Sequence, residues 1–176
     1  AARSCLVVTS FHGEGHADTP CPEWLLANIA LLTTAAQRLD VPLFMAHGDA
    51  PPIESLFFRL SPPPSDARSV PGFATRDCAI DGLPDMMRRL GRKNALFVGA
   101  LPIVQPLIGR LSPVDDGCTA YAVVDAIADD AEASAPPSLA RMKKAECPLV
   151  TTEMVVFEWL RRADTPEFRD LLTRIK

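Results

Sequence analysis

The sequence lacks the glycine-rich motifs of several large enzyme classes, and it has no long apolar run. Only 9 of its 176 residues are glycine. It contains no Gly-rich phosphate loop, no Gly-x-Gly-x-x-Gly and no Gly-x-Ser-x-Gly elbow, so nucleotide-binding and serine-hydrolase activities have no motif support. No apolar stretch reaches the roughly 20 residues of a membrane-spanning helix. We therefore expect no membrane association.

Cysteine is present, but without the spacing of a metal or redox site. The five cysteines include no Cys-x-x-Cys pair, which disfavours a zinc knuckle or a thioredoxin-like centre. We interpret them as reduced thiols and expect an intracellular location, cytoplasmic or organellar. No metal and no cofactor is predicted. Cys78, beside Asp77 and near Arg76, is the one cysteine whose surroundings favour reactivity.

The charge balance is close to neutral and slightly acidic. Eighteen Lys and Arg stand against 22 Asp and Glu, a formal net charge of −4, and 48% of the residues are hydrophobic. This composition is typical of a globular protein and disfavours a broad basic surface, so no nucleic-acid partner is expected.

Proline is unusually frequent, with 17 residues, about twice the average share. Many prolines lie in turns and around positions 51–52 and 62–64, where they fix loop conformations. Two others, Pro102 and Pro106, flank Gln105.

Buried strands alternate with helices along the chain. Short apolar runs predict strands at residues 5–9, 43–46, 95–98 and 119–124. Helical spacing and end signals predict helices at 23–39, 83–90, 106–111, 132–145 and 165–175. Residues 149–150 lead into 152–154, and an amphipathic helix then runs through Arg162. The pattern predicts an α/β fold, a single-domain three-layer α/β/α structure over residues 1–176 with a parallel sheet of about five or six strands.

Ligands of such sheets bind beyond the carboxyl ends of the strands. Those positions are residues 9–11, 46–49, 99–105 and the chain from Asp125 onwards. The loop with His12, Glu14 and His16 could offer metal ligands, but no fourth ligand has a diagnostic spacing, and a solvated loop is the simpler interpretation.

Several motifs resemble the isochorismatase-like hydrolases, the cysteine-hydrolase superfamily that includes nicotinamidases. The C-terminal segment 150–160 (VTTEMVVFEWL), followed by TPEF at 165–168, carries the strongest likeness. Four further motifs resemble the family and occur in the same order along the chain as in its members. They are CLVVT at 5–9, ALFVG at 95–99, VVDA at 123–126 and LARM at 139–142.

The resemblance implies an Asp-Lys-Cys triad that hydrolyses small amides, and this sequence departs from it at all three positions. Thr9 stands where the aspartate is expected, Val70 where the lysine is expected, and Gln105 where the cysteine is expected. Phe11, His47, Phe73 and Leu101 are predicted to line a residual pocket. Asp125 matches a family aspartate that the resemblance implies to be structural.

We therefore predict a catalytically inactive pseudo-hydrolase that acts as a binding or assembly subunit, in a homo-oligomer or a larger protein complex. Two alternatives stay open: an active hydrolase of small amides that uses residues such as Cys78 or the His12 loop, and a small-molecule sensor. The apolar stripe of Val155, Val156, Trp159 and Leu160 suits an interface, although core packing is the simpler explanation.

Overall fold

The computed structural model describes residues 1–9, 22–48, 68–73, 83–100, 117–128 and 135–175, with the backbone alone at 46–48, 68–73, 100, 135 and 136. The strands in these ranges are β1 (Ser4–Thr9), β2 (Leu43–Gly48), β3 (Arg68–Phe73), β4 (Asn94–Ala100), β5 (Thr119–Ala128) and β6 (Leu149–Val150). The helices are α1 (Glu23–Arg38), α2 (Leu83–Arg89), α3 (Ala135–Lys144), α4 (Thr152–Leu160) and α5 (Pro166–Leu172).

All six strands form one parallel sheet in the order β3-β2-β1-β4-β5-β6. From β1 the chain builds outwards to β2 and β3, and then returns to the other side of β1 with β4. The strand order therefore reverses between β1 and β4, which makes their carboxyl ends the topological switch point of the sheet.

Both faces of the sheet are covered, as the uniformly apolar strands predict. On one face, Cys5 and Val7 of β1 pack in a cluster with Leu83 and Met87 of α2 and with Met142 of α3. The other face carries Leu6 and Val8, in a second cluster with α1, α4 and α5. The three-layer α/β/α prediction is confirmed.

The apolar stripe on α4 belongs to this second cluster. Val155, Val156, Trp159 and Leu160 are between 0 and 7% exposed. The stripe is core, and the interface interpretation offered for it is wrong.

Most predicted elements are present with small shifts at their ends. Helix α5 begins as the Thr165-Pro166 pair indicates, since the Thr165 hydroxyl accepts a hydrogen bond from Phe168 N at 3.1 Å. Strand β5 extends to Ala128, four residues past the predicted end at 124. The helix predicted at 106–111 lies outside the described residues. None of the helices in the described ranges is long and apolar enough to cross a membrane.

Strand β3 was not predicted, because proline and glycine interrupt its sequence. It is an edge strand, and on its outer side no neighbouring strand of the described sheet needs the backbone N–H that a proline lacks. Its register against β2 shifts between Ala46 and Gly48, so the segment containing Pro71 and Gly72 is accommodated as an irregularity.

One partly buried carboxylate connects α4 to the sheet. Asp125 Oδ1 accepts hydrogen bonds from the Thr152 backbone N at 2.7 Å and from the Thr152 hydroxyl at 2.9 Å. Asn28 Nδ2 of α1 donates to the Asp125 carbonyl at 2.5 Å. A carboxylate at a helix N-terminus satisfies a free N–H and interacts favourably with the helix dipole. Asp125 thus connects β5, α4 and α1.

We expect Asp125→Ala to lower the free energy of unfolding by about 1–3 kcal/mol, because it leaves two donors of the buried Thr152 without an acceptor. Thr152→Val in the same background should cost less than it does alone, since the two residues share one interaction. Urea unfolding of the four proteins measures this coupling. Asp85→Ala, at an exposed ion pair with Arg88, is the control and should cost less than about 0.5 kcal/mol. If the losses of unfolding free energy at positions 125 and 152 were additive, the two residues would not share the interaction described above.

Two thiols are held in their protonated form by the core. Burial raises the pKa of Cys5 to about 12 and that of Cys147 to about 11. The Cys147 thiol also donates to the Ala120 carbonyl at 3.3 Å. Because the thiolate is the reacting species, neither cysteine is suited to nucleophilic chemistry near neutral pH.

Alkylation at pH 8 should therefore leave Cys5 and Cys147 unmodified in the native protein and label both after unfolding in urea, as read by peptide mass spectrometry. Since their folded-state pKa values lie above the unfolded value of about 9, the stability they contribute is complete below pH 9. It falls as pH rises towards 11–12, by at most about 1.4 kcal/mol per pH unit for each thiol. Cys5→Ala and Cys147→Ala should each flatten that decline. Equal labelling rates in native and unfolded protein would show that these thiols are accessible.

Candidate functional site

The candidate site lies where the strand order reverses, at the carboxyl ends of β1 and β4. Thr9 is the last residue of β1, and Ala100 is the last of β4. Both strands run in the same direction with Val8 opposite Val98. The segments that follow them are therefore brought to the same edge of the sheet, which is where open α/β sheets bind ligands.

Thr9 is enclosed at this edge. It is 1% exposed, and its hydroxyl donates a hydrogen bond to the Val98 carbonyl at 3.2 Å. The position thus supplies a donor to a backbone acceptor of the neighbouring strand. An ionised carboxylate in the same place could only accept, and would face the carbonyl oxygen without a proton between them.

Gly99 makes this close packing possible. It has φ of +122°, a conformation that favours glycine. A Cβ atom there would lie 2.2 Å from Thr9 Oγ1 and 2.4 Å from the Thr9 carbonyl oxygen. Any other residue would displace β1 from β4, so Thr9 and Gly99 form a fitted pair at the switch point.

Val70 lies in the same row of the sheet as Thr9. Thr9 is opposite Ala46 of β2, and Ala46 is opposite Val70 of β3. Two strand spacings separate the Cα atoms of Thr9 and Val70, about 10 Å. The long side chain of a lysine could extend across part of such a distance, whereas valine offers neither that reach nor a charge.

The other predicted site residues are only partly within the described structure. His47 lies in β2 and Phe73 at the end of β3, opposite Gly48, and for both the backbone is described. Phe11, Leu101 and Gln105 lie outside the described residues, as do His12, Glu14, His16 and Cys78. The ranges that are described contain no group of three or more His, Cys, Asp or Glu side chains that could hold a metal ion.

Asp125 is near the same edge but is already engaged. Its carboxylate accepts both hydrogen bonds from Thr152, and it lies where the register between β4 and β5 shifts, between the pairs Phe97–Ala122 and Gly99–Ile127. Sequence reasoning predicted a structural aspartate but missed its partners. The Thr-Thr-Glu sequence at 151–153 before an apolar run was the available signal of a helix start.

A small cleft opens at the other end of the central strands. Its polar lining comes from Ser4, Asn94, Tyr121 and Glu158, and its volume is about 40 Å³. A space of this size is too small for an organic substrate or cofactor. It lies at the amino ends of the strands and therefore has no connection with Thr9.

No model of a protein family matches the sequence, and a search of the curated proteins finds no match. Solved structures are more informative. The MAR1 ribonuclease of Caenorhabditis elegans superposes with a TM-score of 0.75 at 17% identity, over 99% of this chain and 90% of that one.

Two further structures have the same architecture. The YcaC gene product of Escherichia coli, described as an octameric hydrolase of unknown specificity, gives a TM-score of 0.71 at 18% identity, over 98% of this chain and 88% of that one. An isochorismatase family protein of Burkholderia thailandensis gives 0.66 at 15% identity, over 92% of this chain and 97% of that one. The protein therefore has the isochorismatase-like fold that its sequence motifs predict.

Proposed function

We propose that this protein is a catalytically inactive pseudo-hydrolase, built as one isochorismatase-like domain over residues 1–176, that acts as a binding or assembly subunit. The observation that carries the proposal is the state of Thr9. The residue is buried and its hydroxyl donates to the Val98 carbonyl. Position 9 thus has a structural role and no acid–base chemistry to offer near neutral pH.

The chemistry of the expected triad explains why this substitution matters. A carboxylate accepts the proton of the cysteine thiol, an ammonium group stabilises the resulting thiolate, and the thiolate attacks the amide carbonyl. A threonine hydroxyl has no basic character near neutral pH and cannot take that proton. The Thr9 hydroxyl also donates its hydrogen bond to Val98, whereas removal of the thiol proton needs an acceptor at this position.

The other two positions lack the remaining groups. Val70 carries no charge and Gln105 no thiol, so neither a thiolate nor its stabilising cation can form from these residues. Pro102 and Pro106 have no backbone N–H, which removes donors from the segment where the resemblance implies an oxyanion hole. A single substitution would leave room for a variant mechanism, whereas three leave none of the triad's chemistry.

The solved neighbours support the assembly part of the proposal and no particular activity. The E. coli neighbour is octameric, which shows that this fold can build closed assemblies. The nematode neighbour is named a ribonuclease. For this chain, a net charge of −4 and three uncharged residues at the expected triad positions give no support to RNA cleavage.

A matched pair of variants tests whether position 9 tolerates a base. Thr9→Asp and Thr9→Asn are nearly equal in size, but only asparagine can donate to the Val98 carbonyl at pH 7. We expect Thr9→Asp to be less stable than Thr9→Asn by at least about 2 kcal/mol in urea unfolding at pH 7.

The difference should narrow towards pH 4. Burial raises the pKa of the introduced carboxyl in the folded state, so the folded form is favoured at low pH and penalised as the carboxyl ionises. Equal stability of the two variants at pH 7 would show that the site accepts a carboxylate, and would remove the main support for inactivity.

The activity itself is tested with the purified full chain on a panel of small primary amides, nicotinamide included. We expect no release of ammonia above the buffer rate, far below the roughly 10 s⁻¹ of a median enzyme. Thr9→Val and Gln105→Ala should leave this background unchanged.

Turnover at enzyme-like rates that Gln105→Ala abolishes would overturn the proposal. If turnover instead stops on alkylation of Cys78 and is absent in Cys78→Ala, the protein is a hydrolase that uses non-family residues.

A further inference from the structure

Helix α4 has exposed residues on the side away from the core. We call this set of residues the α4 outer face: Glu153, Met154, Phe157 and Arg161. Met154 is 47% exposed and Phe157 is 38% exposed. Their spacing of three and four residues places them on one side of the helix, opposite the core residues Val155, Val156 and Trp159.

The aromatic centre of this face is held in place from one side. The ring of Phe157 packs against that of Phe168 of α5, with centroids 6.0 Å apart and planes inclined by 53°. A side chain fixed in this way loses little conformational entropy when a partner covers it. An exposed aromatic residue flanked by charges is typical of the centre of an interface.

The charges on this face are arranged with opposite signs at the two ends. Glu153 lies in the first turn of α4 and Arg161 at its C-cap. Within the described ranges neither of them is ion-paired, whereas the neighbouring Arg162 is bound to Asp164 at 2.6 Å. Glu153 and Arg161 are each four positions from Phe157, on opposite sides of it.

This arrangement of charges fits a second copy of the chain as the partner. We propose that the α4 outer face binds the same face of a second copy of this chain, with the two α4 helices antiparallel and Phe157 near the two-fold axis. Each Glu153 then faces the Arg161 of the partner subunit, and Met154 and Phe157 of both copies form the apolar centre. The inference rests on the assembly role proposed above and names its contact surface.

The charge pattern selects this arrangement over others. A two-fold axis at Phe157 places position 153 of one copy opposite position 161 of the other, so both ends of the interface carry an opposite-charge pair. Parallel helices would instead place Glu153 against Glu153 and Arg161 against Arg161. Like charges at both ends would disfavour that register.

Charge reversal tests the pairing directly. Glu153→Arg creates two arginine–arginine contacts across the two-fold axis, and Arg161→Glu creates two contacts between acidic residues. Each single variant should raise the Kd of self-association at least about tenfold. The double variant Glu153→Arg/Arg161→Glu restores opposite charges and should return to within about threefold of the original Kd. Sedimentation velocity over a range of protein concentrations measures all four proteins at low ionic strength.

Lys143→Glu on α3 is the matched control, because it makes the same change in net charge as Arg161→Glu at an exposed position on the other side of the sheet. It should leave the Kd unchanged, and circular dichroism should show every variant folded.

A monomeric wild-type chain overturns the inference, as do single variants that self-associate normally or a double variant that stays as weak as the singles. These outcomes are distinct from failure of the pseudo-hydrolase proposal, because amide turnover is measured separately and does not depend on the α4 outer face.

Discussion

The close contact between Thr9 and Gly99 is the constraint on which the site depends. At the switch point of the sheet, β1 and β4 approach so closely that a Cβ at position 99 would overlap Thr9. The hydroxyl of Thr9 adds a hydrogen bond to the Val98 carbonyl within the same contact. The end of β1 is also where the family resemblance implies the triad aspartate. In this structure the same place joins the two central strands, since Thr9 is buried and its hydroxyl is bonded to β4.

Asp125 shows how an acidic residue is used at this edge of the sheet. Its carboxylate accepts from two donors of Thr152 at the N-terminus of α4. The residue lies in the part of β5 where the register against β4 shifts. The hydroxyl at position 9 and the carboxylate at position 125 therefore follow one rule: a carboxylate suits a place where donors converge, and a hydroxyl suits a place where a carbonyl needs a donor.

The sequence allowed most of the scaffold to be predicted, for physical reasons that also mark its limits. Strands β1 and β4 are buried on both faces, so their unbroken apolar runs are distinct, and Thr165-Pro166 is a strong helix start. Strand β3 has no such signal, because Pro71 and Gly72 interrupt its apolar pattern. A strand tolerates these residues at the edge of a sheet, and the local sequence does not reveal that β3 is an edge strand. The aspartate at 125 could be assigned a structural role from the resemblance, but its bonds to Thr152 and Asn28 join residues 27 and 97 positions apart. Contacts over such separations depend on the topology of the whole sheet.

Helix α4 illustrates how one apolar segment can serve two surfaces. Its sequence is rich in apolar residues around the whole helix, so composition alone does not separate core from interface. The described packing does so: Val155, Val156, Trp159 and Leu160 close the core over β5, while Met154 and Phe157 stay exposed. Because Asp125 fixes the start of α4 and the core fixes its inner face, the outer face is presented as a rigid surface. A surface held in this way needs little ordering when a partner covers it, so less of the binding free energy is lost to conformational entropy.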